Sequence, residues 1–278
     1  MQPAEQSLPL RHAVALGVLH GPAELLPISS SAHTTLLPWL LDWPYARLDG
    51  QQRKAFEVAL HAGAGAALAI HLRRELVAEL AGLDAQRLIV IALALAPPAL
   101  AGYVLERPIG ERLGGPRSIA AGLGAGAVAM ALADRRRRAH TDATRRERDA
   151  REARARDGLA LGLAQAAALI PGVSRNGATL TAARARGFSR AAAQTLSWHA
   201  GLPVIAGAGA LEAAHARRSD VTREERSAQL AGALGAFAST LAVARLLRRQ
   251  LRDGQPLWPF ALYRAALAAL VASRSGAQ

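Results

Sequence analysis

Several stretches of this chain carry no Asp, Glu, Lys or Arg for 16 to 21 residues, and few folds can accommodate that. Four of them run from Leu88 to Leu105 (LIVIALALAPPALAGYVL), Ser118 to Ala133, Ala191 to Leu211 and Ser227 to Ala244, with His199 the single histidine among them. Each approaches or reaches the roughly 20 apolar residues that a helix needs to cross a hydrocarbon core. Buried helices of soluble proteins rarely recur at this length without a charged face, so the pattern is that of an all-α polytopic membrane protein. An Ala-rich soluble bundle is the alternative. The formal net charge of +13 would suit a nucleic-acid binder, but only 4% of the residues are aromatic and the mean hydropathy is positive. Those features point to a membrane rather than to nucleic acid as the partner. The chain has no cysteine, which removes disulfides, thiolate metal sites and cysteine nucleophiles together.

Six spans are expected, near Ala55–Leu72, Leu88–Leu105, Ser118–Ala133, Ala191–Leu211, Ser227–Leu247 and Leu257–Ala272. Two more apolar regions, Leu16–Leu41 and Leu159–Leu180, are broken in the middle by Pro, Ser, His or Arg, and read as re-entrant pairs of half-helices. Irregular backbone at membrane depth is tolerated only where it is buried in protein or lines a cavity, so both breaks mark candidate sites. They resemble one another. Placing Leu25-Leu26-Pro27 on Leu169-Ile170-Pro171 also places Ser30 on Ser174 and Thr35 on Thr179. Three spans lie between the two copies, so the second must enter from the opposite side. The expected architecture is an inverted-topology repeat, with halves at about 11–133 and 158–273 joined by a loop at 134–157.

Ten arginines and six acids crowd that loop. The positive-inside rule puts it in the cytoplasm and both termini outside, and it reads as a solvated segment near anionic headgroups. The first residues, MQPAEQSLPLRH, lack the basic n-region of a removable signal peptide.

The first break is HGPAELLPISSSAH. His20 and Glu24 stand four apart on one helix face, Pro27 ends the half-helix, and Ser29, Ser30, Ser31 and His33 follow. A carboxylate, imidazoles and hydroxyls are costly in a membrane segment unless they serve a site. Ser29 or Ser31 can equally cap the next half-helix. The second break is PGVSRNGAT. Gly172 and Gly177 permit a tight loop with amides turned toward a ligand, a half-helix starts near Asn176, and Arg175 adds a fixed cation. With Ser174 and Thr179 as neutral donors, this is the composition of a phosphate clamp. His61, His71 and His199 show no ligand set beside them in sequence and read as packing or interfacial residues.

These segments, with FEVALHAGAGAALAIHLR after the first and QTLSWHAGLPVIAGA after the second, resemble the undecaprenyl-diphosphate phosphatase family, also called the bacitracin-resistance family, from about Ala13 to Ala272. The resemblance implies a bacterial inner-membrane enzyme that removes the terminal phosphate of undecaprenyl diphosphate and so recycles the lipid carrier of cell-wall synthesis. It implies an inverted repeat with re-entrant helices, a site opening to the periplasmic face, and a divalent cation, Mg2+ or Ca2+. Glu24 matches the second acid of the family's glutamate-rich motif, Ser30 and His33 match its proposed catalytic serine and histidine, and Ser174, Arg175 and Thr179 match its phosphate-binding loop. His20 stands where the family usually has Glu or Gln; Ala32 and Asn176 stand in place of Gly and Ser.

Taken together, Glu24, Ser30, His33 and Arg175 are the expected catalytic residues. Ser29, Ser174, Asn176, Gly177 and Thr179 are expected to bind substrate, and Glu24 with His20 to hold the cation. The expected partners are a polyprenyl diphosphate lipid and the membrane, with a homodimer as a further expectation. A polyprenyl-phosphate carrier or flippase, or a weakened paralogue acting on another lipid phosphate, is the competing reading.

Overall fold

A computed structural model describes residues 8–139, 146–216, 222–247 and 253–276. The helices are α1 (Leu10–Leu25), α2 (Ser30–Leu40), α3 (Gly50–His71), α4 (Arg73–Ala81), α5 (Ala85–Leu113), α6 (Pro116–Ala139), α7 (Ala155–Ala167), α8 (Arg175–Ala185), α9 (Arg190–Ala216), α10 (Arg223–Leu246) and α11 (Trp258–Gly276). There is no β-strand among the described residues beyond one isolated bridge between Arg148 and Phe188. Both expected breaks are present, between α1 and α2 and between α7 and α8.

Among the described residues, three helices are long and apolar enough to cross a membrane, over Ala85–Leu105, Pro116–Arg135 and Arg223–Leu246. Their outward faces carry Leu88, Ile89, Leu100, Val128, Leu132, Leu230 and Leu234, all at least half exposed. Apolar side chains in such numbers on long helices need lipid to cover them. The other three expected spans lie on α3, α9 and α11, which are helical but fall outside this length-and-hydropathy class.

The chain divides into two compact units, one formed by the chain up to Leu25 with His33–Arg73 and Val204–Leu246, the other by Leu26–Ala32, Arg74–Pro203 and the chain from Leu247. Each draws on both sequence halves, so the units cut across 11–133 and 158–273. In the first, α1 and α3 both pack on α10. Close approach is possible because a Cβ on Gly17 would strike the carbonyl oxygen of Gly232, and one on Gly63 that of Ala233. Leu16, Phe56, Leu60 and Ala236 form its core. At the start of α3, Asp49 accepts from the Gln52 amide at 2.8 Å.

In the second unit, α5 packs on α7, α11 and α8 pack on α6, and α7 packs on α8. The paired prolines of α5 explain how α7 is seated. Pro97 and Pro98 have no N–H, so the carbonyls of Leu93 and Ala94 lose their helical partners. Gln165 of α7 donates from Nε2 to the Ala94 carbonyl at 2.9 Å. Gly162, one turn earlier, lies so close to the Leu93 carbonyl that a Cβ there would overlap it. A kink-prone residue pair on one helix is thus matched by a glycine and an amide on its neighbour.

The segment 134–157 departs from the expected solvated loop, although its residues 140–145 lie outside the described ones, as do Arg248, Arg249 and Arg252. Asp134 and Asp157 are buried. Arg148 binds Asp157 through both guanidinium ends, at 3.1 and 2.6 Å, and Arg186 adds a third contact at 2.8 Å. Arg148 also lies 4.1 Å from the centre of the Phe188 ring. Burial by itself would raise the Asp157 pKa, but hydrogen bonds from Arg148, Arg186 and the Arg154 amide outweigh it and hold the pKa at about 2. Arginine density thus builds a packed junction here. Arg184 belongs to it too, buried and donating to the Phe188 carbonyl at 2.6 Å and to Glu147 at 2.8 Å.

Candidate active site

The two breaks share a local device that sequence alignment on the prolines conceals. Ser29 and Ser174 both adopt left-handed backbone conformations, φ 76° and 67°, immediately before α2 and α8. Each then caps the helix it precedes: the Ser29 hydroxyl accepts from the Ala32 amide at 3.4 Å, and that of Ser174 from the Gly177 amide at 3.2 Å. Non-glycine residues in this region are strained, and such strain concentrates at functional turns. In this register Ser29 corresponds to Ser174, Ser30 to Arg175 and Thr34 to Thr179. The second loop holds one extra residue, Gly172 at φ 93°, which absorbs the difference.

Ser30 and His33 lie in the first turn of α2, both buried to 8% exposure. They are three residues apart and so share a helix face. Arg175 opens α8, and its guanidinium lies against Gly201 of α9: a Cβ added at Gly201 would meet Cζ at 2.8 Å and Nη1 closer still.

Asn176, Gly177 and Thr179 lie in the first turns of α8 beside Arg175. Gly177 is an ordinary helical residue whose amide is already used by Ser174. Thr179 is fully buried, with its hydroxyl 2.6 Å from that of Ser197 and donating to the Arg175 carbonyl at 2.9 Å. Ser197 donates in turn to Asn176 Oδ1 at 2.9 Å. A capped helix leaves few spare donors, so these side chains hold the first turn of α8 onto α9 and thereby set the direction of Arg175.

Arg264 is the residue that sequence reasoning missed. It comes from α11, is wholly buried, and donates to the carbonyls of Gly172 and Val173 at 2.9 Å and of Pro27 at 3.3 Å, with Gly122 and Leu123 at 3.4 Å. One guanidinium therefore ties the loop after Pro27 to the loop after Pro171. Its Nη1 also lies beneath Gly177, where a Cβ would meet it at 2.8 Å, so a second positive charge underlies the N-terminus of α8. The signal was present as a lone arginine in an otherwise apolar segment.

In the other unit, His20 and Glu24 share a face of α1 as expected, with Nε2 3.8 Å from Oε2. His61 of α3 joins them, its Nδ1 3.5 Å from the same carboxylate oxygen and its ring edge-on to that of His20 at 4.5 Å. His61 is therefore part of a cluster and not the isolated packing residue that its sequence surroundings suggest. Glu24 and His20 are buried, whereas His61 is 35% exposed and forms the open side.

The sequence profile of the family described as Bacitracin resistance protein BacA matches residues 13–270. The undecaprenyl-diphosphatase of Geobacter sulfurreducens is 40% identical over 267 residues, covering 92% of this chain and 94% of its own length. The one from Thermomicrobium roseum is 38% identical over 273 residues, covering 92% and 94%, and that of Geobacter metallireducens is 38% identical over 266, covering 91% and 93%. Similarity at this level spans both breaks, α11 with Arg264, and the junction around Asp157. This chain belongs to the bacitracin resistance protein BacA family.

Proposed function

We infer that this protein is a membrane phosphatase that hydrolyses undecaprenyl diphosphate to undecaprenyl phosphate and inorganic phosphate. The observation that carries the reading is Arg175 at the first position of α8, on a helix N-terminus capped by Ser174 and backed by the buried Arg264. Phosphoryl transfer asks the protein for little beyond charge neutralisation and an aligned nucleophile. A guanidinium supplies paired donors to phosphate oxygens, and the positive end of α8 adds to it. The relatives named undecaprenyl-diphosphatase, matched over nearly their full length, support the substrate.

In the inferred reaction the Ser30 Oγ attacks the terminal phosphorus while its proton passes to His33, on the same face of α2. The bond from phosphorus to the bridging oxygen breaks, and protonated His33 gives its proton to that oxygen, releasing undecaprenyl phosphate. Water, deprotonated by His33, then cleaves the phosphoseryl ester; Ser30 recovers its proton from His33 and inorganic phosphate leaves. A divalent cation held by His20 and Glu24 would supply further positive charge for the reaction. The inner membrane of a bacterium, with the reaction on the periplasmic face, is the setting that the family resemblance implies, and the arginine asymmetry supports a cytoplasmic side for the 134–157 segment.

Phosphate release from undecaprenyl diphosphate by purified protein in detergent, beside Ser30→Ala, tests this. Release by the parent and a loss of about 10³-fold in Ser30→Ala is the expected result. A parent protein that binds the lipid but releases no phosphate would overturn the hydrolase in favour of a carrier. Full activity in Ser30→Ala would move the attack to His33 or to water.

A further inference from the structure

The His20, Glu24 and His61 cluster differs in chemistry from the carboxylate pair that Mg2+ or Ca2+ prefers. Two of its three donors are imidazole nitrogens, and they come from two helices, α1 and α3, that pack on the same third helix. The ligand atoms lie within 4.8 Å of one another. Both ring nitrogens of His20 are buried without a hydrogen-bond partner, a costly state for an imidazole. The same carboxylate oxygen faces both rings, at 3.8 and 3.5 Å. The partial exposure of His61 leaves a way in and room for water or a phosphate oxygen.

We propose that His20, Glu24 and His61 form a three-point site for a borderline divalent transition ion, of the class of Zn2+, Co2+ or Ni2+, with His61 as the ligand that decides the class. Imidazole suits such ions, whereas hard ions take oxygen donors. The proposal extends the reading of His20 and Glu24 as a cation site, but its test contains no lipid and does not depend on hydrolysis.

The test is Co2+ binding to purified, metal-stripped full-length protein in detergent, followed by equilibrium dialysis and by visible absorption. The expected result is about one Co2+ per chain with a nitrogen-ligand absorption band, displaced by Zn2+ but not by a hundredfold excess of Mg2+. His61→Ala and His20→Ala should each weaken Co2+ binding by at least about tenfold and change the band, while His199→Ala, in the other unit, should not. His61→Gln, which keeps the size of the side chain, guards against a folding defect, and thermal unfolding in detergent is followed for every variant. Unchanged Co2+ binding in His61→Ala and His61→Gln, displacement by Mg2+ as readily as by Zn2+, or no Co2+ uptake by folded protein would each overturn the proposal. Phosphate release is measured separately, so an inactive protein that binds Co2+ would overturn the phosphatase reading alone.

Discussion

The Nη2 atom of Arg264 lies 2.9 Å from the carbonyl oxygen of Gly172, so a guanidinium on α11 holds the turn that Gly172 makes at φ 93°. The same atom reaches Val173, and Nη1 reaches Pro27. Truncation to Met would leave these carbonyls buried without donors, at about 1–3 kcal/mol for each group that water does not reach. Arg264→Met should therefore lower the thermal unfolding temperature in detergent by several degrees and reduce phosphate release at least about tenfold. Arg264→Lys should fall between, because a point charge cannot serve both loops at once. Parent-like stability and activity in Arg264→Met would refute the tie.

Gly201 matters for the space it leaves. A methyl group there would overlap the Arg175 guanidinium, which must then turn away from its place at the start of α8. Loss of one preorganised donor to a developing anion costs about 10²–10³-fold in rate. Gly201→Ala should reduce turnover by about 10²-fold while leaving the unfolding temperature within a few degrees, since alanine is a better helix former than glycine. Turnover close to that of the parent would show that Arg175 has another productive position.

The elements of this fold were legible wherever local chemistry decides them. Uncharged runs located α5, α6, α9 and α10, and Pro27 and Pro171 located the breaks. What local chemistry does not encode is partnership at a distance. Nothing in the residues around His61 points to Glu24, because the meeting depends on α1 and α3 sharing α10. Arg264 was visible as an isolated intramembrane cation, but its acceptors are backbone carbonyls, which have no residue signature. Asn176 and Thr179 were correctly placed beside Arg175 in sequence, yet their engagement with Ser197 depends on α9 packing against α8. The offset between the two breaks was misjudged by one residue because prolines mark where a helix ends, whereas Ser29 and Ser174 mark where the next begins.

Gln165 completes α5 from outside. Its amide serves the Ala94 carbonyl that Pro98 leaves without a donor, and Gln165 is buried. Gln165→Leu keeps the volume but strands the carbonyl, which should cost about 1–3 kcal/mol. Pairing it with Pro98→Ala, which restores the N–H within α5, should recover most of that loss. Unfolding temperatures of the two single variants and the double variant in detergent check this: strict additivity would show that Gln165 and Pro98 are not linked through Ala94.

Asp157 makes the stability of the junction depend on pH. In the folded protein its pKa is held at about 2, against 3.8 for the ordinary side chain. A depressed carboxylate contributes stability that is fully present above the unfolded pKa and is lost as pH falls through the folded one. The loss should therefore begin just below pH 4 and be complete near pH 2, with no contribution to slope near neutrality. In Asp157→Asn the step in unfolding temperature between pH 4 and pH 2 should shrink, and the variant should be less stable than the parent at pH 7, where Arg148 and Arg186 lose their shared acceptor. An unchanged acid step in Asp157→Asn would assign the acid sensitivity of the fold to other carboxylates.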